Sequence, residues 1–120
     1  MLRKVLHSKI HHANCTGAVM SYVGSITLDP DIYEAIGMRP NDCVLIANCR
    51  NGARFETYIL KGERGSGVVE VNGAAAHLAQ AGDQLIIMHF ALMSDDEYSS
   101  HHPQVIVLDE QNHISQRLSY

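Results

Sequence analysis

The chain has 120 residues, 46% of them hydrophobic and 18% charged, which is enough apolar material for one domain with a real core and too little charge for a disordered chain. Nine Lys and Arg against thirteen Asp and Glu give a formal net charge of −4, a mild acidity that argues against a nucleic-acid partner. The three cysteines, Cys15, Cys43 and Cys49, form no C-x-x-C pair, so neither a disulfide framework nor a cysteine zinc site is expected, and a reducing cytoplasm fits them best.

In chain order, the opening MLRKVLHSKIHH has no apolar signal-peptide core, and no apolar run reaches membrane-span length, so a soluble intracellular domain with no membrane partner is expected. Leu2 to Thr16 reads as one long or broken strand. Tyr22 to Leu28 reads as a second, interrupted at Gly24. Asp29-Pro30 gives a helix start, with Asp as N-cap and Pro at the first helical position, and Gly37 closes that helix.

Cys43 to Cys49 is a buried-strand candidate, and Asn51-Gly52 predicts a hairpin turn with positive φ at both central positions. Arg54 to Leu60 is the return strand, and KGERGSG (61–67) a flexible turn. Val68 to Val71 predicts a strand, Ala74 to Ala81 a short helix closed by Gly82, and Gln84 to Met93 an apolar strand. Ser94 to Glu97 matches a capping box. Val105 to Leu108 and Ile114 to Leu118 are final strands around a turn at Gln111-Asn112. Short strands dominate, which points to a mainly β fold and a small barrel.

General chemical motifs are scarce. The eight histidines include the adjacent pairs His11-His12 and His101-His102, but neighbours on a strand face opposite ways, so a pair cannot easily grip one ion. No metal is expected. GERGSG lacks the phosphate-loop pattern, and no nucleophile elbow is present.

Three segments read together are far more specific: Tyr22-Val23-Gly24-Ser25, Arg54-Phe55-Glu56-Thr57-Tyr58 and Asn72-Gly73-Ala74-Ala75-Ala76-His77, beside Lys9 and His11. With these, the chain from about Leu2 to Leu108 resembles the pyruvoyl-dependent aspartate 1-decarboxylases of the pantothenate pathway. The resemblance implies a six-stranded double-psi β-barrel with short helices, spanning 1–120 as a single domain. It also implies a homotetramer with active sites at subunit interfaces. The proenzyme would cut its own Gly24-Ser25 bond into a β chain (1–24) and an α chain (25–120), the latter starting with a pyruvoyl group made from Ser25. Whether a maturation factor triggers the cut stays open.

The residue types suit that chemistry. A serine hydroxyl is a weak nucleophile that needs geometric help, and glycine before it frees the backbone. Thr57 would supply the oxyanion donor for cleavage at Gly24 and Ser25. The ketone would form a Schiff base with L-aspartate and accept electrons as CO2 leaves, giving β-alanine. Lys9 and Arg54 would hold the substrate carboxylates, with Thr57, Gly73, Ala74 and Ala75 completing the binding site. Tyr58, sharing strand parity with Arg54, would be the proton donor. His11, Tyr22 and Asn72 would support the site. Ala47, where some members carry Trp, implies an altered pocket wall. The alternative is an uncleaved or non-catalytic β-barrel binding module.

Overall fold

Stretches rich in Val, Ile and alternating apolar residues pair as nine strands in a computed structural model that describes Met1 to Tyr120 throughout. They are β1 (Arg3–Asn14), β2 (Gly17–Val19), β3 (Ser25–Leu28), β4 (Cys43–Asn48), β5 (Arg54–Lys61), β6 (Val69–Asn72), β7 (Gln84–Met93), β8 (Gln104–Leu108) and β9 (Ile114–Leu118). The helices are short: α1 (Pro30–Tyr33), α2 (Asp95–Ser99) and two 3-10 turns, Glu34–Ile36 and Gly73–His77. No helix is long and apolar enough to cross a membrane.

The strand order is β2-β6-β3-β5-β4-β7-β1-β8-β9. The pairs β1/β8, β2/β6 and β3/β5 are parallel and the others antiparallel. Val69 and Val71 of β6 share one buried cluster with Ile106 and Leu108 of β8, although those strands lie far apart in the order. A flat sheet cannot bring them together, so the sheet curls on itself as the mainly β, barrel-like expectation requires. Ile10, Ile26, Ile46, Ile59, Leu85 and Ile87 complete the same core, each fully buried.

The helix signals hold. Asp29 Oδ1 accepts from the Asp31 N–H, Gly37 ends the following 3-10 turn at φ 77°, and both halves of the Ser94/Glu97 capping box are present.

Other expectations need correction. Tyr22 to Gly24 is not strand: the chain turns there and strand pairing begins only at Ser25, while the short β2 precedes the turn. Only Gly52 has positive φ at the β4–β5 connection, where the Gly52 N–H donates to the Asn48 carbonyl (2.8 Å) to close a longer loop than the two-residue turn. The helix expected over 74–81 is the 3-10 turn Gly73–His77, with Gly82 at φ 95° beyond it. His11 and His12 do not face apart, because β1 is irregular between Ile10 and Ala13 and His12 has φ 59°. Their rings lie 3.9 Å apart instead.

The 61–67 segment is pinned. Asp29 accepts from the Gly65 and Gly67 N–H groups (2.9 Å each), and Arg64 pairs with Asp31 and Glu34 at 2.8 and 2.9 Å.

Candidate active site

Ser25 is the first residue of β3 and pairs with Asn72, the last of β6, across an antiparallel ladder. On its other side β3 pairs in parallel with β5, with Ile26 opposite Ile59 and Thr27 opposite Leu60. Ser25 and Asn72 are completely buried.

A buried hydroxyl must find partners, and Ser25 has two. Its Oγ donates to the Val23 carbonyl (2.8 Å) and accepts from Asn72 Nδ2 (3.1 Å). Asn72 Nδ2 donates its other hydrogen to Thr27 Oγ1 at 3.0 Å, while Asn72 Oδ1 is buried with no partner. Thr27 is a site residue the sequence reading missed. Its place two residues after Ser25, on the same face of a strand, was the available signal.

Gly73, not Gly24, is the position where the backbone requires a glycine. Gly24 is not left-handed, and a Cβ there would meet nothing within 4 Å. Gly73 is left-handed at φ 77°, and a Cβ on it would lie 2.6 Å from Gly24 Cα, 2.9 Å from Gly24 N and 3.3 Å from the Tyr22 carbonyl. The 3-10 turn can therefore press its backbone against the Gly24-Ser25 segment only because residue 73 lacks a side chain. Ala74 and Ala75 continue from it, and the first N–H groups of such a turn have no partners within it.

Arg54, Glu56 and Tyr58 are exposed and alternate with half-buried Phe55 and Thr57, so Arg54 and Tyr58 do share a face of β5. The Thr57 side chain makes no hydrogen bond to Ser25 or Gly24 in this form of the chain, whose residue 25 is serine. Arg54 sits opposite buried Ala47 and has no carboxylate partner.

Lys9 is likewise without a carboxylate partner and reaches only the Tyr120 hydroxyl at 3.5 Å. Lys9 and His11 lie on β1, separated from β3 in the sheet order by β5, β4 and β7, and no hydrogen bond links them to Ser25. His11 Nδ1 is buried without a partner, and burial, helped by His12 and Lys9, holds this imidazole below its ordinary range. The segment before the scissile bond leaves Met20, Tyr22 and Val23 exposed. No cluster of His, Cys, Asp and Glu has the arrangement of a metal site, and the three cysteines are free.

The family model described as aspartate decarboxylase matches residues 1–115. The chain belongs to the aspartate decarboxylase family. It is 53% identical over 118 residues to the aspartate 1-decarboxylase of Bacillus subtilis (strain 168), covering 98% of this chain and 93% of that one. It is 53% identical to the Listeria monocytogenes aspartate 1-decarboxylase (95% and 90% covered) and 51% identical to that of Caldicellulosiruptor saccharolyticus (95% and 89%). Aspartate decarboxylase similarity over nearly the full length leaves the non-catalytic binding module unsupported.

Proposed function

We propose that this member of the aspartate decarboxylase family matures by cutting its own chain at Gly24-Ser25 and then removes the α-carboxylate of L-aspartate. The decarboxylase activity follows from the family, and its β-alanine product serves pantothenate biosynthesis. The observation that carries the maturation reading is the fully buried Ser25 hydroxyl, gripped by Asn72 in a cradle that only a glycine at 73 leaves open.

The cleavage begins with Ser25 Oγ attacking the Gly24 carbonyl carbon. A C–O bond forms, the C–N bond breaks, and the hydroxyl proton ends on the released Ser25 nitrogen. Thr57, on the β5 strand that neighbours β3, is the donor assigned to the oxyanion. Loss of the Ser25 α-proton then expels the Gly24 carboxylate, and water converts the remaining enamine to a terminal pyruvoyl group with release of ammonia. The buried position of Ser25, beside an Asn72 oxygen still unpaired, suits so small a group. When present, that group supplies the electron sink that pyridoxal phosphate supplies elsewhere.

The chain's own residues do the rest. Arg54, planar and unpaired, takes one substrate carboxylate in a bidentate grip, and Lys9 takes the second. The N–H groups of Gly73, Ala74 and Ala75 orient the substrate, and Tyr58 delivers the proton that replaces CO2. The sites are completed by a second copy of the chain in a homotetramer. The same reading includes one domain over 1–120, a six-stranded double-psi core and a cytoplasmic enzyme.

The test is an assay of CO2 and β-alanine released from L-aspartate by the purified chain and by Ser25→Ala. Turnover in the native chain and none in the variant is expected; equal turnover in both contradicts the reading.

A further inference from the structure

We propose that Thr27 is a positioning residue for maturation, its hydroxyl fixing the Asn72 carboxamide so that one N–H stays on Ser25 Oγ. This rests on the self-cleavage reading and assigns it a residue outside the reacting atoms.

The hydrogen-bond inventory of Asn72 carries the argument. A primary amide has two N–H donors and one carbonyl, and this one is completely buried. Both N–H groups are used, one on Ser25 Oγ at 3.1 Å and one on Thr27 Oγ1 at 3.0 Å, while Oδ1 has no partner. Nothing therefore holds the amide from its oxygen side. Rotating it by half a turn would strand both donors, and buried N–H groups without partners are the rarer and costlier case. Without the Thr27 hydroxyl, the Ser25 contact is the one bond left to orient the carboxamide.

Thr27 is itself held. Its Cγ2 would lie only 3.0 Å from a Cβ placed on Gly62, so its methyl fills the space that this glycine leaves. With the methyl seated there, the hydroxyl turns to Asn72. The Thr27 hydroxyl sets the Asn72 amide plane, and that plane sets the bond to Ser25 Oγ. Because Ser25 must stand close to the Gly24 carbonyl carbon, a small loss of orientation slows attack substantially.

The experiment compares self-cleavage of the full chain, by intact mass at timed intervals, in the native protein, Thr27→Val, Thr27→Ser and Thr27→Ala. Thr27→Val keeps the shape and removes the hydroxyl; Thr27→Ser does the reverse. A positioning hydroxyl predicts cleavage about tenfold slower in Thr27→Val and restored to within about twofold in Thr27→Ser. A purely packing role predicts the opposite order. Thr27→Val should also have no added effect in an Asn72→Ala background, since it acts through that amide. Should Thr27→Val fail to fold by circular dichroism, Thr27→Ala, which adds no bulk, takes its place against Thr27→Ser. Equal rates in native protein and Thr27→Val overturn the role of Thr27 and leave self-cleavage standing. A native chain that never cleaves overturns both.

Discussion

Ser25 is held by Asn72 across the β3–β6 ladder, and the tightest constraint comes from a residue with no side chain. Gly73 presses on Gly24 at a distance that no Cβ tolerates, and its left-handed φ already disfavours other residues. Gly73→Ala should therefore displace the 22–25 segment and abolish self-cleavage, while Gly24→Ala meets no neighbour and adopts no left-handed backbone. Intact mass after prolonged warm incubation checks this. Efficient cleavage in Gly73→Ala would show that the close backbone approach is not required. The sequence motif NGAAA marked this glycine as important, but its reason, a contact with residue 24 across strands, is tertiary and has no local signature.

Among the elements, those decided by local chemistry were legible and those decided by packing were not. Asp29-Pro30 and Ser94 to Glu97 announce their caps because the side chain bonds its own helix. The long strand 84–93 is legible from continuous apolar character. The 61–67 segment is not. Its glycines suggest freedom, yet their N–H groups reach back to Asp29, which is distant in sequence. Burial works to raise the Asp29 pKa, but the hydrogen bonds from Gly67, Gly65 and Asp31 hold it below the usual carboxylate range. Likewise the loop after β4 is fixed by Arg50 and Asn48 on the buried Asp83, contacts invisible to a turn motif. Asp29→Ala leaves three N–H groups without their acceptor. It should cost about 3 kcal/mol of stability, read from denaturant unfolding. A loss under about 0.5 kcal/mol, the size of an ordinary surface change, would show that the pinning is incidental.

For the whole molecule, acidity acts first through histidine. Burial lowers the pKa of His7, with His89 and His101 adding to the effect, and burial also lowers that of His11. Near pH 6.5 and just below, the unfolded chain takes up protons that the folded chain refuses, so stability is full above that pH and falls as pH drops toward the folded values. Asp29 and Asp83 have lowered values and resist protonation through this window. The thermal midpoint should thus decline between about pH 7 and pH 5, before carboxylate protonation contributes. A midpoint flat across that range would contradict the histidine assignment.

The decarboxylase reading stands on a chemical change at a single residue of the whole chain. Intact mass spectrometry of the catalytically active protein under denaturing conditions tests it most directly. Two fragments are predicted, residues 1–24 and residues 25–120, the second blocked to amino-terminal sequencing by a ketone where Ser25 stood. A fully active protein that runs as one uncut chain with its serine intact would contradict it.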